Sequence, residues 1–299
     1  MTADRAVALD GIRRRIGPVG LWAGGLTRAS EGVPAAVAVA AESAGFGAVW
    51  GGEVLTGRDI FDVHDEMLRA TASLTTATGI ANMRVRDAAT AARQVQAIHA
   101  RHPSRFIAGF GTSHRELTGD GVPASVVDTA GEYLRAVRAV SGTPASPPML
   151  LAALGPRMLR LSAEQADGAH TYFASAAHTA GARAVLGRVP LLVPQLAVVL
   201  GEQHSVPDAA RRHTAGLLAK RNYARHVERM GLDPADGDAV ARALVAAGDA
   251  DAIAQAVAEH LAAGADHVAI QLLGVETDEL PAQAEELAML SGAVRSVAA

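Results

Sequence analysis

Residues 150–173 read LLAALGPRMLRLSAEQADGAHTYF. An apolar run over 149–153 ends at Gly155-Pro156, residues 157–165 carry apolar side chains at helical spacing, and 169–173 is β-rich again. Strand, tight turn, helix and strand make the unit that joins parallel neighbours in a sheet. The alternation recurs on both sides of this stretch. Further β-rich runs fall at 19–23, 48–51, 79–82, 106–110, 191–200 and 267–273, and helical stretches at 33–44, 88–100, 125–140 and 178–186. Gly45 and Gly264 close helices, while Pro34 and Pro156 occupy first turns. Eight strand and helix units predict an α/β fold of the (β/α)8 TIM-barrel type, because a parallel sheet needs both faces covered and closure removes its edges. An open doubly wound sheet is the alternative. Residues 205–248 hold too many helical positions for one crossover, so they are expected to be a helical insertion between strands seven and eight of one domain spanning 1–299.

Bulk properties narrow the chemistry. A chain of 299 residues, 49% hydrophobic and 19% charged, can bury a full core. It has no cysteine, which excludes disulfides, thiolate nucleophiles and cysteine-ligated metal centres. Redox chemistry therefore requires a bound cofactor. A net charge of −4 with interspersed cations and 3% aromatics argues against a nucleic-acid surface. With no apolar run of membrane-spanning length and no leader-like start, the expectation is a cytoplasmic protein. No histidine pair has the spacing with a carboxylate that a zinc site needs, so no metal is expected.

In a barrel the chemistry lies just past the strand ends, which selects a short set of residues. Trp22-Ala23-Gly24-Gly25 follows the first strand, Glu53 the second, Asn82 ends the third, and Thr112-Ser113-His114 follows the fourth. Leu154-Gly155-Pro156-Arg157 follows the fifth, His170 and Tyr172 lie on the sixth, and Gln195 and Gln271 on the last two. Gly155-Pro156 opens a helix whose first N–H groups are unpaired, so it can receive a phosphate, with Arg157 adding charge; it can equally be only a turn. Glu53 can bind a hydroxyl or ring N–H, act as a base, or sit solvated at the rim. His114 and His170 are candidate proton donors. Gly79, Ile80, Ala81 and Asn82 can form a flat rest for a planar ring, or an ordinary buried strand. Helical His99, His178, His213 and His226 read as surface or packing residues. The cations Lys220, Arg221, Arg225 and Arg229 form a solvated face or attract an anionic tail.

The segments AAESAGFGAVWGGE, TGIANM, RFIAGFGTSH, LLAALGPRMLRLSAEQADGAHTYF and GDADAIAQAVAEHLAAGADHVAIQLL occur in an order and spacing that resembles the luciferase-like monooxygenase superfamily, and within it the branch dependent on coenzyme F420. The resemblance implies a cofactor ring packed on a third-strand bulge with a non-prolyl cis peptide, at Gly79-Ile80-Ala81. It implies a phosphate at Leu154-Gly155-Pro156, and the Thr112-Ser113-His114 loop near ring and substrate. Glu53 matches the acidic position after the second strand, but Val54 stands where many members have a histidine. The implied function is hydride transfer between a small organic substrate and the deazaflavin, with Glu53 and His114 flanking the reacting carbon, in a homodimer. The alternatives are an FMN-dependent monooxygenase on the same barrel, or a barrel that binds the ring without catalysis. A Schiff-base aldolase is excluded, since the only lysine, Lys220, lies in the insertion.

Overall fold

Strand β1 (Val19–Ala23) is built from VGLWA and β2 (Ala48–Gly51) from AVWG, both almost wholly buried, as strands sandwiched between a barrel interior and a helical layer must be. The computed structural model describes residues 3–112, 125–141, 146–201 and 205–298. After β2 the chain continues through β3 (Thr75–Thr78), β4 (Ala81–Asn82), β5 (Phe106–Gly111), β6 (Met149–Ala152), β7 (Gly168–Thr171), β8 (Leu191–Leu200), β9 (Val245–Gly248) and β10 (Val268–Leu272). All pairings are parallel. Neighbours run β10-β1-β2-β3-β5-β6-β7-β8, and β8 pairs with β10, which closes an eight-stranded barrel. The expected barrel is therefore what forms.

Helices alternate with these strands: α1 (Ala3–Ile16), α2 (Val33–Ser43), α3 (Ile60–Ala70), α4 (Ala88–Arg101), α5 (Val126–Ser141), α6 (Pro156–Gln165) and α7 (Ala176–Leu186). Between β8 and β10 come α8 (Asp208–Leu218), α9 (Arg221–Arg229), α10 (Gly237–Leu244) and α11 (Ala250–Ala262), and α12 (Ala284–Ala298) ends the chain. Helix starts at Asp59, Asp87, Ser175, Asp236 and Asp249 are capped by side chains that accept from the first turn.

Three differences from the sequence reading have physical causes. The third strand is Thr75–Thr78, N-terminal to the expected 79–82, because its buried threonines read as polar yet suit a strand by their branched Cβ. Only Ala81–Asn82 of the expected run is strand; Gly79 and Ile80 form a break between two short pieces. Helices α1 and α3 were not expected. Helix α1 closes the end of the barrel where the strands begin: Leu9, Ile12 and Ile16 join a cluster with Ala48, Trp50, Ala77, Ile107, Leu150, Leu191 and Ala269. Arg5 ties it there by two hydrogen bonds to Asp167, at 2.8 and 2.6 Å.

Candidate functional site at the barrel mouth

The strands all end at the opposite face, and pleat alternation decides what they present there. Inward positions near the ends of the early strands are glycines: Gly24, Gly52, Gly79 and Gly111. A Cβ on Gly79 would lie 2.9 Å from Trp22 Nε1 and 3.2 Å from His170 Nε2, and one on Gly111 would strike the Ile80 side chain at 2.8 Å. The later strands instead offer Leu154, Tyr172, Gln195 and Gln271. One half of the rim is thus stripped to backbone and the other carries polar and aromatic side chains.

The bulge after β3 contains a non-prolyl cis peptide between Gly79 and Ile80. Gly79 and Ile80 are half-buried and accessible; Ala81 and Asn82 are not. Ala81 packs into a cluster with Phe61, Phe106 and Phe110 behind the strands, and so offers no surface to a ring. Asn82 is also withdrawn, its Oδ1 accepting from the Arg84 N–H at 2.9 Å.

Glu53 is no solvated rim carboxylate. Its side chain is 3% exposed, Oε2 accepts from the Asn82 N–H at 2.7 Å and from Arg86 Nη1 at 2.8 Å, and Oε1 accepts from Arg86 Nη2. Both oxygens are therefore occupied in bracing the bulge. Arg86 also reaches Asp59 at 3.4 Å and lies 5.0 Å over the Phe61 ring. Burial alone would lower the Arg86 pKa, but Glu53 and Asp59 raise it, so the guanidinium stays charged. The sequence reading missed Arg86, which sits among alternating cations with nothing to distinguish it from a surface residue.

His170 lies inside the barrel, stacked on Trp50 with ring centroids 5.1 Å apart. Its Nδ1 is 2.8 Å from the Val193 carbonyl oxygen, which can only accept, so Nδ1 carries the proton and Nε2 the lone pair. Burial pushes its pKa down to about 4. His170 is thus a neutral acceptor and not the proton donor that its sequence position suggested. Trp22 Nε1 and His170 Nε2 are buried without partners among the described residues. Thr112 is half-buried at the end of β5. Ser113 and His114 lie outside the described residues.

At the end of β6, Leu154 packs against the cluster of Phe173 and Tyr223, and Gly155 starts α6 without a side-chain cap. The expected cation beside it is displaced. Arg157 is exposed in a groove between α5 and α6 with Asp128, Glu132 and Arg160, and Pro156 is exposed beside it. The guanidinium that meets Gly155 is Arg229, on α9, 3.8 Å from where a Gly155 Cβ would be. Desolvation and the neighbouring Arg225 lower its pKa. His226 Nδ1 is 3.5 Å from Arg229, and the His226 ring meets His178 edge-on at 4.6 Å. His226 is fully buried and His178 half-buried, so neither is a surface residue.

The two features share one rim. Ala81 pairs with Phe110 on β5, Phe110 pairs with Leu151 on β6, and β6 runs on to Gly155. An uncapped helix start, a glycine that lets a ligand approach the backbone and a guanidinium are groups that can receive an anion, and they lie beside an open apolar ledge. A planar ring with an anionic tail fits that donor set.

Solved structures with similar folds include an F420-dependent secondary alcohol dehydrogenase in complex with an F420-acetone adduct, at 16% identity and TM-score 0.72, over 91% of this chain and 98% of that one. Another is the coenzyme F420 dependent tetrahydromethanopterin reductase from Methanopyrus kandleri, at 14% and 0.71, over 90% and 98%. A third is the oxygenating constituent of 3,6-diketocamphane monooxygenase from Pseudomonas putida in complex with FMN, at 12% and 0.72, over 94% and 98%. At such identities the likeness is one of fold. No curated protein matches the sequence. The family model for luciferase-like monooxygenases matches residues 34–189, more than half of the chain, and the chain therefore belongs to the luciferase-like monooxygenase family.

Proposed function

We propose that the protein is an oxidoreductase that holds coenzyme F420 at the barrel mouth and acts on a small organic substrate. The observation that carries this reading is the pairing of an anion receptor, Gly155 with Arg229, and an open ledge, Gly79-Ile80, on the same rim. When bound, the deazaflavin supplies two-electron chemistry. The chain's own residues do the rest.

Gly155 and the free N–H groups of the first turn of α6 bind the phosphate of the tail, and Arg229 neutralises it. Gly79 and Ile80 support one face of the ring. Glu53 acts as a positioning residue: with Arg86 it holds the Asn82 N–H and so fixes the height of the ledge. His170, with its lone pair at Nε2, can accept a hydrogen bond but stays unprotonated at neutral pH, because burial pushes its pKa down to about 4. His114, which follows Gly111 by three positions, is the candidate for proton transfer with Val54 in place of the histidine many relatives carry.

Fluorescence titration of the purified protein with F420 and with FMN tests the reading. F420 is expected to saturate at micromolar concentration. Saturation by FMN alone would transfer the site to the flavin, and failure of both to bind would reject it. His114→Ala is expected to lower turnover at least tenfold while leaving cofactor affinity within about twofold, on the scale of general acid–base effects.

A further inference from the structure

Three side chains on neighbouring strands form a hydrogen-bond chain whose direction is set from one end. The Phe173 backbone N–H donates to Gln195 Oε1 at 3.3 Å, which leaves Gln195 Nε2 as the donor end of that carboxamide. Gln195 Nε2 lies 3.0 Å from Gln271, so the atom it meets must be an acceptor, Oε1. The Tyr172 hydroxyl donates to the same Oε1 at 2.8 Å. A carboxamide whose oxygen faces two donors turns its NH2 the other way.

That NH2 faces the mouth. Gln271 is half-buried, and its Nε2 lies 3.8 Å from where a Gly24 Cβ would be; it has no acceptor among the described residues. The Trp22 ring is 3.3 Å from that same point and 5.4 Å from the Tyr172 ring, so the donor opens between aromatic walls. His213, 6.4 Å from the Tyr172 ring, is held neutral by burial and by the nearby Lys220 charge, with a pKa lowered to about 4. A fixed N–H donor between aromatic rings suits an oxygen that only accepts.

We infer that Gln271 presents a preoriented carboxamide donor to a carbonyl oxygen of a neutral group bound at the mouth. The carbonyl belongs either to the pyrimidinedione end of the cofactor ring or to a carbonyl substrate. The first of these rests on the ring-binding reading above, and the second does not.

The decisive variant is Gln271→Glu, studied at pH 8. A carboxylate still accepts from Tyr172 and Gln195, so the network survives while the donor is lost. Gln271→Leu is the second variant, and melting temperature and circular dichroism show whether each folds. F420, FMN and cyclohexanone are titrated into wild type and variants by calorimetry, the ketone with and without cofactor. A roughly tenfold loss of cofactor affinity in both variants, the size of one hydrogen bond, assigns the donor to the ring. A similar loss for cyclohexanone with cofactor affinity unchanged assigns it to a substrate carbonyl. In either case Gln195→Leu is expected to weaken the same probe by less. Folded variants that bind every probe within twofold of wild type overturn the inference, as does a wild type that takes up none. A wild type that binds the ketone but neither cofactor defeats the ring-binding reading alone, and the variants still decide the role of Gln271.

Discussion

Glu53 and Arg86 are nearly inaccessible, with side chains 3% and 6% exposed, and each satisfies the other. Removing one partner of such a pair leaves a buried charge without compensation, which costs about 3–5 kcal/mol. Arg86→Met is therefore expected to lower the unfolding free energy by roughly 3 kcal/mol, read by urea denaturation. Glu53→Gln keeps an acceptor for the Asn82 N–H and should be milder. Both should weaken cofactor binding if the ledge depends on this brace, and unchanged affinity in a folded Glu53→Gln would show that it does not. The acid after β2 was visible in the sequence, but its occupation was not. A carboxylate next to two glycines has the same letters whether it faces solvent or an arginine from a distant turn. His170 was also visible as a residue and misread as a chemical group, because the Val193 carbonyl that fixes its tautomer comes from another strand.

Among the secondary structures, the start of α6 shows how far local pattern carries. The Gly155-Pro156 signal marked a helix N-terminus correctly. The cation did not follow from proximity in sequence, because Arg157 points along the outer groove while Arg229 arrives from α9. Arg229→Met is expected to weaken F420 and FMN by about tenfold or more, with a shallower dependence on salt than in wild type, since a charge-assisted contact contributes roughly 1.5–3 kcal/mol. Arg157→Met should change neither. If Arg157→Met proves the damaging one, the anion lies elsewhere. Strand β3 escaped the sequence reading for a related reason: hydroxyl groups at Thr75, Thr76 and Thr78 hide a stretch that is entirely buried.

Across the whole fold, the eightfold alternation was legible because the eight barrel strands are almost wholly buried and the helices between them carry apolar stripes. Closure itself came from pairings far apart in sequence, such as Val19 with Val268. The barrel is also rich in buried histidines. Burial lowers His64 and His226 to about 3, and His170, His213, His260 and His267 to about 4, from an ordinary value of 6.5. The unfolded chain binds more protons than the native one between these limits. The stability they contribute is therefore complete above about pH 6.5 and is lost as pH falls through about 4. The urea midpoint should fall steadily over that window, and a flat profile from pH 6.5 to 4 would contradict the burial of these rings.

Helix α1 seals one end with Leu9, Ile12 and Ile16, and Leu9→Ala is expected to cost about 2–5 kcal/mol, measured by thermal or urea unfolding. The seal also decides access. With Trp50, Ile107, Leu150 and Leu191 packed above it, the interior is a filled core among the described residues, and a ligand must come and go at the mouth alone.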